Sequence, residues 1–145
     1  MIQIFEIKPE GFFAKVEVAA CYVEIDGRIL LLQIADHKSE PGKWGVPAGK
    51  KESGESIENT AQRELFEETG ILIPNSAQVE HIGALYLRKP DVDYVYHMFR
   101  VRLHEMPLVR LSAEHQGYVW ASAQEVDRMP LMAGAKEALE KFRSS

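Results

Sequence analysis

The sequence predicts one domain of the α/β or α+β class, a sheet flanked by helices. Three observations carry that expectation. Runs of Val, Ile, Leu and aromatic residues with strand character recur along most of the chain. An acidic helix bounded by glycines interrupts them at 56–69, and an amphipathic helix closes the sequence over 131–143. No internal repeat, low-complexity tract or long linker divides 1–145, so the chain reads as a single domain, long enough for one sizeable core.

The elements follow in order. Residues 2–7 alternate as a short strand that Pro9-Glu10-Gly11 closes, and 12–25 and 28–34 are two strands joined by Asp26-Gly27, a hairpin signal. A polar loop with Pro and Gly fills 36–43, and 43–49 suits a shaped turn more than a regular strand. Ser56 is the N-cap of the acidic helix, with Asn59 in place of the Glu that would complete a capping box; Gly70 is its stop and Pro74 follows. Segments 79–88 and 94–103 read as a strand pair, and 116–120 as another strand. Ser122 caps a helical turn over 123–128, with Glu125 completing a capping box, and Pro130 breaks it. In the last helix Leu131, Ala135, Ala138, Leu139 and Phe142 form the apolar side.

Composition excludes more than it names. With 22 acidic against 17 basic residues, the net charge of −5 argues against nucleic acid or a membrane surface as partner. It leaves phosphate substrates open, because a bound metal reverses the local sign. The only cysteine, Cys21, sits in an apolar run and reads as a small core residue. The N-terminus has no basic start before a continuous apolar segment, and no stretch approaches a membrane span. A cytoplasmic location is the expectation.

The acidic helix carries the chemistry. At about 100° per residue, Glu67 falls about −60° and Glu68 about +40° from Glu64, so the three carboxylates share one face. Leu65, Ala61 and Ile57 form an apolar stripe to one side. Arg63 lies to the other, four residues before Glu67 and able to pair with it. Glu64 and Glu68 repel at i,i+4 with no lysine nearby to offset the cost. Hard oxygen ligands on one face suit Mg²⁺ or Mn²⁺. Three glutamates alone fit a solvated acidic surface better.

The wider spacing decides between those readings. Gly49, Glu55, Arg63-Glu64-Leu65, Glu67-Glu68 and Gly70-Ile71 stand in fixed register over 49–71. This resembles the signature of the Nudix hydrolase family, MutT-like proteins, at all nine defined positions. The resemblance implies an α/β/α sandwich with a mixed β-sheet, the signature forming a loop–helix–loop against it. It implies metal-dependent hydrolysis of a nucleoside diphosphate linked to another group. Glu67 and Glu68 would be the first metal ligands, Glu64 a further ligand or the general base, and the Ala48 carbonyl would complete the set. Many relatives have glycine where Ala48 stands. Arg63 would position a signature glutamate, Glu55 would buttress loop and helix, and Gly49 and Gly70 would serve the turn and the helix stop. Glu114, before a Tyr-x-Trp strand, is the candidate for a later ligand or base, against the reading of an exposed loop acid.

Outside the signature the residues speak less. Tyr86, Arg88 and Tyr96 are candidates for substrate contact, with sheet packing as the plainer reading of the tyrosines. His115 reads as a surface residue, Trp44 and Trp120 as packing residues, and the other histidines have no ligand spacing. Lys50, Lys51 and Lys89 could meet phosphate oxygens. The short chain leans toward nucleoside triphosphates; nucleotide sugars, dinucleoside polyphosphates and a sensor that binds nucleotide without turnover are the alternatives. Homodimers are common among relatives, so a homodimer stays open.

Overall fold

The computed structural model describes residues 1–74 and 78–145. Eight strands and three helices occur: β1 (Gln3–Phe5), β2 (Ala14–Ile25), β3 (Arg28–Ile34), β4 (Trp44–Gly45), β5 (Ala48–Lys50), α1 (Ile57–Thr69), β6 (Gln78–Lys89), β7 (Val92–Arg102), β8 (His115–Ala121), α2 (Ala123–Val126) and α3 (Ala135–Ser144). The strands form one sheet in the order β1-β6-β7-β2-β3-β4, with β5 added on β2 and β8 on β3. β2 and β7 run parallel over ten partnered positions from Ala14↔Asp93 to Glu24↔Arg102; the other pairs are antiparallel. The sheet is mixed, with helices on both sides, as an α/β/α sandwich requires.

Alternation along β2 divides its side chains between the two faces. Ala19, Cys21 and Val23 join Phe99 and Val101 beneath Ala61 and Leu65 of α1. Ala20 and Tyr22 join Leu85, Leu87 and Met98 beneath Ala138, Leu139 and Phe142 of α3. Cys21 is buried as expected, its thiol donating to the Ala61 carbonyl at 3.4 Å, and burial pushes its pKa up to about 12.

The boundaries shift where tertiary contacts intervene. The 43–49 segment is not only a turn: Trp44–Gly45 and Ala48–Lys50 extend the sheet on either side of Pro47, whose carbonyl accepts from the Cys21 amide at 2.8 Å. The β6–β7 link is tighter than expected, with ladder pairing down to Lys89↔Val92, beside an Arg88–Asp93 ion pair of 2.8 Å. The last helix starts at Ala135 rather than 131. Met132 donates to the Trp44 carbonyl, Trp44 to the Pro130 carbonyl, and Ala133 to Glu40, so this stretch is held in extended contact. Gly134, at φ 85°, turns the chain into the helix, and Leu131 lies off its apolar stripe. Among the described residues no helix is long and apolar enough to cross a membrane.

Candidate active site

α1 is bounded as its sequence requires. The Ser56 hydroxyl accepts from the Asn59 amide at 3.1 Å, and Gly70, at φ 74°, donates to the Phe66 carbonyl at 2.8 Å. Burial of Ala61 and Leu65 against the sheet fixes the helix rotation. That rotation turns Glu64 and Glu68 toward β5 and leaves Glu67 more than half exposed. A Cβ on Gly49 would collide with the Glu64 carboxyl group, so only glycine lets the helix approach this closely.

Glu68 is the buried member, 6% exposed, with Oε1 accepting from the Ala48 amide at 3.2 Å. Burial first, and the Glu64 charge second, push its carboxyl up to about 9. Burial raises Glu64 as well, and the two carboxyl groups stand close enough to oppose each other's ionisation. Two acids held together in a poorly solvated corner retain a proton between them.

Arg63 works on the other flank. Its Nε and Nη2 donate to the two oxygens of Glu55 at 2.7 and 3.0 Å, and Nη2 also donates to the Lys50 carbonyl at 2.9 Å. Nη1 donates to Glu64 at 2.8 Å and to Glu67 at 3.1 Å. Glu55 further accepts from the Thr60 hydroxyl and the Glu52 amide, and the Arg63 hydrogen bonds above all hold its carboxyl down at about 2. One guanidinium therefore ties the loop before α1, the end of β5 and two helix glutamates together.

The structure brings some of the sequence candidates together and separates others. Glu64 and Glu68 meet; Glu67 is drawn to Arg63 instead, and among the described residues no three acids or histidines converge on one point. Glu114 is exposed, 3.9 Å from Lys38, on a segment whose Ser112 amide bonds the Glu68 carbonyl, and its charge reaches Glu68. His115 is half-buried rather than superficial, with Nδ1 buried and unpaired among the described residues, because β8 pairs it with Ile34. Trp44 and Trp120 pack against the two cores.

Tyr86 and Arg88 leave the site. Arg88 is committed to Asp93 and the Gly11 carbonyl, and Tyr86 packs edge-on against Phe12. Leu85 and Leu87 point to the α3 side, so alternation turns Tyr86 and Arg88 the other way. Tyr96 does reach a cavity. This space of about 450 Å³ lies between the sheet and the 131–139 segment, lined by Val18, Tyr22, Ala48, Lys50, Tyr96 and Leu139 among others. Ala48 belongs to both places: its amide holds Glu68, and its side of β5 lines the cavity. Sequence reading missed Tyr22 as a cavity residue, because only the β2–β7 parallel pairing brings its side of β2 to the face that carries Tyr94 and Tyr96. Period-2 spacing of Val16, Val18 and Tyr22 was the available signal.

The mixed sheet with α1 on one side and α3 on the other defines an α/β/α sandwich that carries its acids on α1. The chain belongs to the Nudix hydrolase family: the model of the NUDIX domain matches residues 14–142. It is 32% identical over 127 residues to the CTP pyrophosphohydrolase of Escherichia coli strain K12, across 88% of this chain and 90% of that protein. Among solved structures it resembles a MutT protein from Methanosarcina mazei Go1, with TM-score 0.76 and 25% identity over 89% of this chain and 93% of that one. An Ap4A hydrolase from C. elegans matches with TM-score 0.71 and 25% identity over 89% and 96%. Nudix hydrolases generally use divalent metal ions.

Proposed function

We propose that this chain uses Mg²⁺ or Mn²⁺ to hydrolyse a pyrophosphate bond in a nucleoside diphosphate linked to another group, nucleoside triphosphates first. One observation carries the reading: Glu64 and Glu68 are pressed together beside Ala48, in a corner where burial and mutual repulsion oppose the ionisation of both, a conflict that a bound cation relieves. The same strand lines a cavity of nucleoside size. The relative of highest quoted identity is a CTP pyrophosphohydrolase, which favours triphosphates over sugars or dinucleosides.

The donor set fits a hard cation. Glu64, Glu67, Glu68 and the Ala48 carbonyl would hold it, with Glu114 as a further oxygen from the loop before β8. When bound, the cation neutralises the substrate's phosphate charge and makes water a better nucleophile. The remaining work belongs to the protein. Glu64, partly buried and hydrogen-bonded to Arg63, serves either as a further ligand or as the group that takes a proton from water, with Glu114 the other choice for the latter role. Glu67, exposed and held only at its tip by Arg63, would need only a side-chain rotation to join the set. Arg63 and Glu55 keep α1 in register with the Lys50 carbonyl. Lys50, lining the cavity, faces the path between nucleoside and phosphates.

The test is product identification with Mg²⁺ across nucleoside triphosphates, nucleotide sugars and dinucleoside polyphosphates. Glu67→Gln lowers kcat by about two orders of magnitude or more while leaving folding intact. Near wild-type turnover in that variant sinks the metal assignment; tight binding of one compound without turnover of any makes the chain a sensor.

A further inference from the structure

The cavity beside β5 has an unusual polar inventory. Among the described residues its lining side chains include aliphatic residues, Met132, three tyrosines and two lysines, and no Asp, Glu, Asn or Gln. Within it the hydroxyl oxygens of Tyr22 and Tyr96 lie 3.0 Å apart. Two phenols carry two hydrogens, and the bond between them uses one. Tyr22 is 1% exposed, its ring stacked on Phe142 with centroids 4.7 Å apart. Either hydroxyl can donate in this pair; because Tyr22 is the one shut away from water, we assign its hydrogen to the bond with Tyr96. Tyr96, partly exposed to the cavity, accepts that bond and keeps its own hydrogen for whatever enters.

We infer that the Tyr96 hydroxyl, oriented by Tyr22, determines specificity by donating to a carbonyl oxygen of the substrate's base. The inference rests on the cavity being the seat of the nucleoside. A carbonyl oxygen accepts from the tyrosine or from either lysine. The exocyclic amine that adenine and cytosine both carry finds no carboxylate or amide side chain among the described lining residues, so the carbonyl oxygen is what separates the two bases here. Adenine carries no carbonyl oxygen; cytosine, uracil and hypoxanthine each do. Burial holds both phenols protonated well beyond the ordinary tyrosine range, so the donor persists at every working pH. Tyr96 contacts substrate, whereas Tyr22 is a positioning residue that acts through it.

The experiment compares CTP, UTP and ITP with ATP by steady-state kinetics in wild type, Tyr96→Phe and Tyr22→Phe. Wild type prefers the carbonyl-bearing triphosphates by about tenfold in kcat/KM, the value of one well-placed bond. Tyr96→Phe raises KM for those substrates by about tenfold, leaves kcat within about twofold, and leaves ATP unaltered. Tyr22→Phe gives a smaller KM rise confined to the same substrates, which simple loss of packing would not do. An unchanged preference in Tyr96→Phe, or a wild type that prefers ATP, overturns the inference. Failure of the hydrolase reading looks different: wild type then turns over none of the four. In that event calorimetry with CMP and AMP decides. CMP binding weakened about tenfold by Tyr96→Phe, with AMP unaffected, supports the inference, and equal losses or no CMP binding overturn it.

Discussion

Glu68 sets an electrostatic conflict that the rest of the molecule answers. Its ordinary carboxyl value is 4.5, and the folded protein raises it to about 9. Between those values the unfolded chain has released the proton and the folded one retains it, so folding takes up a proton and stability falls as pH rises. Below about pH 4.5 the penalty vanishes, because both states are protonated. With metal chelated, the unfolding free energy should therefore drop between pH 5 and 9, at most by about 1.4 kcal/mol per pH unit. Glu68→Gln carries no such proton and should flatten the slope by more than half, and Mg²⁺ should raise the wild-type Tm at pH 8. Denaturant curves across that range check it; an equal slope in both proteins would assign the conflict elsewhere. Glu55 shows the opposite sign. Held at about 2 by Arg63, it contributes stability that is intact above 4.5 and lost only in acid.

At the scale of the element, α1 shows what a sequence can and cannot display. Its cap, stop, apolar stripe and acidic face were legible because each is a local property of 56–70. The Arg63–Glu67 pair was legible too, since helical periodicity sets i,i+4 neighbours together. The partners that dominate Arg63, Glu55 and the Lys50 carbonyl, lie outside the helix and depend on how the loop folds back. The start of α3 was misjudged for a related reason: backbone bonds with Trp44, and the Glu40 carboxylate accepting from the Ala133 amide, override the helix pattern at 131–133. That Tyr86 and Arg88 lie on the face away from the cavity was not legible, because face assignment needs the register of β6, shifted by an irregularity between His81 and Gly83. Gly70 gives the element its own test. A Cβ there meets nothing closer than 3.6 Å, so Gly70→Ala carries only the left-handed backbone penalty, about 1 kcal/mol. Urea unfolding should show that loss with kcat near wild type, whereas a collapse in kcat would mean the helix end itself positions the glutamates.

Across the whole molecule, the sheet keeps two jobs apart while one strand joins them. The α1 side carries the acids over a core that includes Leu65; the α3 side carries the cavity over a core that includes Leu139. Both leucines are buried, at 0% and 4% exposure, so truncating either to alanine should cost about 2–5 kcal/mol. They belong to separate apolar clusters on opposite faces and share no cluster neighbour. The double variant Leu65→Ala/Leu139→Ala should then lose the sum of the single losses, within about 0.5 kcal/mol. Activity should divide along the same line. Leu65→Ala loosens the helix that aims the glutamates and lowers kcat; Leu139→Ala enlarges the cavity and raises KM, with kcat less affected. Chemical denaturation and steady-state kinetics on the three variants measure both expectations. A coupling energy well above 1 kcal/mol, or a kcat loss from Leu139→Ala matching that from Leu65→Ala, would show the sheet transmitting strain between its faces. Ala48, bonded to Glu68 and exposed to the cavity, would then be the point of transmission.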